Sequence, residues 1–268
     1  MKIIRFLSES GKTLYGAYSK RRPGTAEGIE KEPWSKNITG GGEEKIRKLL
    51  APVAPVNILA LGINYRKHGE ETALSIPSEP ILFLKATSSV TGPDHPIVLP
   101  AAGSDQVDYE AELALVIGKT AKNVTPAEAW DCIFGFTCAN DVSARDWQFE
   151  RQKGQWARGK SFDTFCPLGP WIVTKDEIDD PDDLAIRAVL NGRTVQESRT
   201  SEMIFNVRTI VSRLSRSMTL HPGTVILTGT PEGVGFARRP PVFLKPGDVI
   251  RVEIEKIGTL SNRVIAES

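Results

Sequence analysis

The chain has 268 residues, 40% hydrophobic and 25% charged, a globular composition that argues against wholesale disorder and fits one large domain. Its 34 basic and 33 acidic residues leave a net charge of +1. That balance offers no electrostatic footprint for nucleic acid or an anionic membrane, so the expected partner is a small molecule or another subunit. Three cysteines, Cys132, Cys138 and Cys166, have no C-x-x-C spacing, which argues against a zinc ribbon or a disulfide framework and for a reducing compartment. The start of the chain lacks the apolar core of a secretory signal and the acid-poor bias of a transit peptide. No stretch approaches the roughly 20 apolar residues of a membrane span. A soluble, cytoplasmic protein is expected.

In chain order, residues 2–6 and 13–18 alternate as two strands around a turn at 8–11. Arg22-Pro23-Gly24 and Gly40-Gly41-Gly42 punctuate the loop-rich stretch that follows. Residues 43–50 read as a short helix that ends before Pro52 and Pro55. Together, residues 1–55 are expected to form a small β-rich appendage without chemistry of its own. The pattern strengthens from Asn57, with an apolar strand at 58–61, a helix within 64–74 and a buried strand at 81–84. A longer strand spans 109–117, a helix begins over 126–130, and 133–139 is aromatic and branched like a strand. Strands also fit 171–174, 185–190, 225–228 and 249–254, with Asn191-Gly192 as a hairpin turn. Ile204, Val207, Ile210, Val211 and Leu214 recur at helical intervals over 201–215. Many strands, few helices and no regular β-α alternation predict an α+β fold dominated by mixed sheet.

Five groups of residues can carry chemistry. Glu110 and Glu112 are two apart on a strand, so both carboxylates project from one face, ahead of Ala114 and Val116. They are either a solvated strand end or a site for a hard cation such as Mg²⁺ or Mn²⁺. Asp141 ends the run at 133–139 and either reaches that cation or caps a helix over 142–149. His68 and Glu71, at i and i+3 on a helix, form an oriented base pair or an exposed charged face. His95 and His221 sit beside prolines and read as loop residues. Lys160, after Gly159, meets a substrate oxygen or points into solvent. Arg145 and Gln148, at i and i+3, can fork a carboxylate. Last, the glycines of Thr228-Gly229-Thr230-Pro231-Glu232-Gly233-Val234-Gly235 let backbone amides approach an anion, without a P-loop or dinucleotide signature.

In their order along the chain, Gly62-Ile63-Asn64-Tyr65, His68, Glu71, Phe83-Leu84-Lys85 and Tyr109-Glu110-Ala111-Glu112-Leu113 resemble the fumarylacetoacetate hydrolase family. The same holds for Asn140-Asp141-Val142-Ser143-Ala144-Arg145-Asp146, Gly159-Lys160-Ser161-Phe162-Asp163 and Leu227 through Gly235, so the likeness covers about residues 56–268. It implies a catalytic domain built as a mixed β-roll, assembled as a homodimer and acting on a 2-oxo acid. It implies one Mg²⁺ or Mn²⁺ per subunit on Glu110, Glu112 and Asp141. His68 and Glu71 would transfer protons on a segment that orders over substrate, and Lys160 would contact the reacting oxygen. Arg145, Gln148 and Thr230 would hold the substrate. Hydrolysis of a C–C bond in β-diketo acids ranks first, followed by oxaloacetate tautomerisation or decarboxylation and by double-bond isomerisation. Residues 240–248 resemble a branch in which the tautomerase is implied. Two other readings stand beside these: Lys160 as a Schiff-base nucleophile, and a non-catalytic domain that binds a small acid.

Overall fold

The computed structural model describes residues 1–268 except Lys20, Pro23, Glu30, residues 36–39 and Ser268; the punctuation expected at Pro23 therefore lies outside the described residues. The first four strands are β1 (Lys2–Ser8), β2 (Thr13–Tyr18), β3 (Thr25–Ile29) and β4 (Glu43–Leu50). They pair antiparallel in a ring, β1 with β2, β2 with β3, β3 with β4 and β4 back with β1. Ile4, Phe6, Leu14 and Ala26 fill a small core there. The helix expected at 43–50 is therefore a strand. Glu, Lys, Arg and Leu favour a helix in isolation, but pairing on both sides outweighs that weak preference.

The middle of the chain supplies β5 (Ile58–Gly62), helix α1 (Arg66–Glu71), β6 (Ile81–Lys85), β7 (Val90–Thr91), β8 (Ile97–Leu99), β9 (Val107–Asp108) and β10 (Ala111–Ile117). Then come helix α2 (Pro126–Cys132), β11 (Ile133–Asn140), β12 (Ser143–Ala144) and β13 (Cys166–Thr174). The hairpin β14 (Ala185–Leu190) and β15 (Arg193–Arg199) turns at Asn191-Gly192. Helix α3 (Val207–Ser217), β16 (Val225–Leu227), β17 (Val249–Ile254) and β18 (Gly258–Ala266) complete the chain.

One eleven-stranded sheet runs β2-β3-β4-β1-β13-β11-β10-β16-β5-β6, with β7 added on β13. The first four strands thus continue into the large sheet through the β1–β13 pairing, Lys2 opposite Val173. Parallel pairs, β16 with β5 and β13 with β7, make the sheet mixed. A second sheet, β15-β14-β17-β18-β8, packs against the first. Strand β10 shows how the layers form. Leu113, Leu115 and Ile117 enter the core that also holds residues of the second sheet and Ile210 and Leu214 of α3. Ala114 and Val116 face a separate core on the opposite side. Both faces of β10 are buried, as its continuous apolar run requires.

Two elements are shorter than their sequence patterns. Helix α1 covers only 66–71 of the expected 64–74, and α3 begins at Val207, capped by Asn206, rather than at 201. Residues 81–84 form the sheet edge, with Leu84 54% exposed, instead of a buried strand. No helix among the described residues is long and apolar enough to cross a membrane. Cys132, Cys138 and Cys166 are free and buried.

Candidate active site

The candidate site lies where β9 and β11 end and β10 begins, beside the loop after β16. Because β10 alternates, Glu112 shares the face of Ala114, and Glu110 lies just ahead of the strand on that face. Asn140 aligns the neighbouring turn: its Oδ1 accepts from the Glu110 amide at 3.0 Å, while the Asp141 amide donates to the Glu110 carbonyl at 2.9 Å. Asp141 thereby turns towards the acids of β10. Glu110, Glu112 and Asp141 are all buried, and one oxygen from each lies within 4.8 Å of the others. The helix-cap alternative for Asp141 fails locally, because Ser143–Ala144 pairs as β12 with β9 and helical residues begin only at Arg145, leading into a π-helical turn over Trp147–Arg151.

Each acid has its own electrostatic setting. Glu110 accepts from Arg145 Nη2 and from Lys160 Nζ, both at 2.7 Å. Burial alone would raise its pKa, but Lys160 and Arg145 outweigh burial and hold the carboxyl well below the usual range. Asp141 accepts from Lys160 Nζ at 2.8 Å and also from Lys85. Glu112 accepts from the Gly229 amide at 2.6 Å, while its buried Oε1 meets no donor. Burial, then Asp141 and Glu110, push the Glu112 carboxyl well above its ordinary value. Lys160 is raised: burial works against its charge, but Asp141 and Glu110 favour the ammonium more strongly.

Four buried carboxylates, Asp108, Glu110, Glu112 and Asp141, thus face three buried cations, Lys85, Arg145 and Lys160. The surplus charge falls at Glu112, which has an unpartnered oxygen. Three buried hard oxygen donors that converge, one of them with an orphaned atom, fit a divalent cation of the Mg²⁺ or Mn²⁺ kind.

His68 is buried on α1, and its Nδ1 lies 2.8 Å from Glu71 Oε1. Glu71 Oε2 accepts from the Gly233 amide at 2.9 Å. With Nδ1 committed to Glu71, Nε2 is the nitrogen left to exchange a proton. His68, Glu110, Arg145, Gln148, Lys160 and Thr230 line one cavity, walled by Phe83, Phe149, Trp156 and Phe236. Glu112, Asp141 and Glu71 do not line it; Asp141 connects to it through Lys160 and Glu71 through His68. Of the two other histidines, neither lines this cavity.

Arg145 forks carboxylates of its own chain, donating from Nε to Asp108 at 2.8 Å and from Nη2 to Glu110. Its Nη1 donates to Gln148 Oε1 at 2.9 Å. Thr230 donates to the Ala111 carbonyl at 3.0 Å and accepts from Gln196 at 2.8 Å, so its hydroxyl fastens the loop to β10. The glycine-rich loop does meet anions, but they are the chain's own: Gly229 binds Glu112, Gly233 binds Glu71 and the Phe236 amide binds Asp108 at 2.7 Å. At Gly229 and Gly233, φ is +94° and +97°, and a Cβ would lie 2.7 Å from Asn64 Cβ and 2.4 Å from the Val195 carbonyl. Glycine is required at both.

Four buried residues of this site were given no role from the sequence, although Asn64 and Lys85 stand in the motifs that carry the family resemblance. Lys85 neutralises Asp141, and Asp108 holds Arg145, with its carboxyl pushed up to about 6 by burial despite Arg145. Gln196 bridges the Ala111 amide, Thr230 and the Pro231 carbonyl, while Asn64 ties the Thr228 carbonyl to Phe205. A lysine closing an apolar strand and an acid just before Glu110 were the available signals.

The profile of the family described as Fumarylacetoacetate (FAA) hydrolase C-terminal matches residues 57–265. A Xenopus laevis protein named "Oxaloacetate tautomerase fahd2, mitochondrial" is 52% identical over 218 residues, covering 81% of this chain and 68% of that protein. The Homo sapiens "Oxaloacetate tautomerase FAHD2B, mitochondrial" is 45% identical over 264 residues, 98% of this chain and 79% of that one. Among solved structures, the 5-carboxymethyl-2-hydroxymuconate delta-isomerase of Mycobacterium smegmatis aligns over 100% of both chains, at 41% identity and a TM-score of 0.86. This chain belongs to the fumarylacetoacetate hydrolase family.

Proposed function

We propose that this protein is a divalent-metal-dependent tautomerase that moves a proton between the keto and enol forms of a 2-oxo acid, with oxaloacetate as its substrate. One observation carries the reading: His68, oriented by Glu71, lines the same cavity as Glu110 and Lys160. Proton transfer beside an enolate stabilised by the cation and Lys160 needs no group beyond that pair, whereas C–C hydrolysis also needs a placed water. The names of the similar proteins, tautomerases and an isomerase, support proton transfer over the hydrolysis that the family likeness ranks first.

Glu110, Glu112 and Asp141 would hold Mg²⁺ or Mn²⁺, and the bound ion supplies positive charge that favours a 2-oxo acid's carboxylate and enolate oxygens. His68 Nε2 takes the C3 proton of the keto form and delivers it to the C2 oxygen, giving the enol; the reverse path carries it from that oxygen back to C3. Glu71 steadies the imidazolium that forms between these steps. Lys160, kept as an ammonium by Glu110 and Asp141, donates to the C2 oxygen as that oxygen gains charge. A lysine held protonated is a poor nucleophile, so this role is favoured over a Schiff base. Arg145 and Gln148 orient the substrate carboxylate, and the aromatic wall keeps bulk water from the enolate.

The experiment is a substrate panel with Mg²⁺ or Mn²⁺, covering enol-oxaloacetate and acylpyruvates. Faster enol–keto interconversion of oxaloacetate with no carbon–carbon cleavage supports the proposal. Cleavage of acylpyruvates, or release of pyruvate from oxaloacetate, without accelerated tautomerisation would contradict it.

A further inference from the structure

Asp108 touches the site only through other residues. It is fully buried in β9. Its Oδ1 accepts from Arg145 Nε at 2.8 Å and lies 2.7 Å from Nη2, while Oδ2 accepts from the Phe236 amide at 2.7 Å. A guanidinium has five N–H donors in a rigid fork. The edge made by Nε and Nη2 is committed to Asp108 and Glu110. Nη1 gives one hydrogen to Gln148 Oε1, which leaves its second hydrogen and the Gln148 NH₂ as donors. Both side chains line the cavity, and the Phe236 ring covers one guanidinium face, 4.3 Å from its central carbon.

Glu110 cannot set this orientation alone. It is shared with Lys160 and belongs to the acids that would hold the cation. Among the described residues Asp108 pairs with no cation but Arg145, and it is fixed to the loop through Phe236. We infer that Asp108 is a positioning residue that aims the free donors of Arg145 and Gln148 at the substrate carboxylate, and so sets affinity for acidic substrates. The inference rests on the 2-oxo acid reading above.

The test compares the full-length wild type with Asp108→Asn, which keeps volume, and Asp108→Glu, which keeps charge but shifts it by one methylene. Oxaloacetate kinetics and calorimetric binding of malonate are measured in Mg²⁺, alongside the Tm of each variant. Loss of a charged hydrogen-bond partner should raise KM and the malonate Kd together by about tenfold or more, with kcat within roughly threefold. His68→Ala should behave in the opposite way, losing kcat while still binding malonate. If Asp108→Asn does not fold, Asp108→Glu reads the same quantities. Folded variants with wild-type KM and malonate affinity overturn the inference, as does a fall in kcat at unchanged KM. A wild type that binds malonate but does not tautomerise oxaloacetate defeats the functional reading instead, and the malonate ratio still judges Asp108.

Discussion

The Gly233 amide donates to Glu71 across 2.9 Å of space and 162 positions of sequence. It is the middle one of three such bonds. In the loop after β16, Gly229, Gly233 and Phe236 each offer an amide to a carboxylate from a different element: Glu112 from β10, Glu71 from α1 and Asp108 from β9. One loop therefore positions Glu112 of the acidic cluster, Glu71 beside His68 and Asp108 beside Arg145.

Gly233→Ala should disturb both stability and turnover. The residue sits at φ +97°, and a Cβ would meet the Val195 carbonyl at 2.4 Å. Left-handed backbone in a non-glycine residue costs about 1–3 kcal/mol, and the clash adds to it. Thermal unfolding should show a lower Tm, and kcat should fall because Glu71 loses its support. A wild-type Tm would contradict this account of the loop.

His68→Ala should lower kcat for tautomerisation by about 10²–10⁴, the usual contribution of a positioned base. Glu71→Gln should cause a smaller loss, since the carboxamide can still accept from Nδ1 but cannot balance the imidazolium charge. Neither residue belongs to the acidic cluster, so calorimetry should find Mg²⁺ binding nearly unchanged in both. Full activity in either variant would remove the pair from the mechanism.

Lys85 shares Asp141 with Lys160 and does not line the cavity. Stripping one partner from a buried pair costs about 3–5 kcal/mol; here the loss should be smaller because Lys160 remains. Lys85→Met should lower the metal-free Tm and enlarge the rise in Tm that Mg²⁺ produces, since the cation then meets less competing charge. The same Tm as wild type in metal-free buffer would show that Lys85 carries no such role.

The buried thiols set an alkaline limit. Burial pushes Cys166 up to about 12 and Cys138 higher still, whereas an unfolded thiol titrates near about 8.5. Above that value the unfolded chain sheds these protons and the folded chain keeps them, so stability falls as pH rises. Below it the thiols contribute no slope. Denaturant titrations at increasing pH should show the decline, and alkylation of the native protein at pH 9 should leave Cys138 and Cys166 unmodified. Rapid labelling of either in the folded state would contradict their burial.

The sequence made the acids of β10 legible because alternation on a strand is a local property: Glu110, Glu112, Ala114 and Val116 share a face whatever packs against them. The hairpin at Asn191-Gly192 and the core face of α3 were legible for the same reason. What was hidden depends on distant neighbours. Glu43–Leu50 has a helical composition, yet β1 and β3 lie on either side to receive it as a strand. Lys85 looks like the polar end of an apolar strand until Asp141, 56 residues away, is folded against it. The glycine loop announced an anion, but only the fold makes Glu71, Glu112 and Asp108 the anions it receives.

The central claim is that Glu110, Glu112 and Asp141 gather one divalent cation, and the Glu112 oxygen without a donor offers the cleanest test. Calorimetric titration of Mg²⁺ or Mn²⁺ into wild type and Glu112→Gln, with the metal-free Tm of each, is the measurement. The account predicts one ion per wild-type chain and at least about a tenfold weaker site in the variant, since a charged ligand is lost. It also predicts a metal-free Tm equal to or above wild type, because a buried acid without a full set of partners has been replaced by a neutral group. Equal affinity for the ion in both proteins would contradict it.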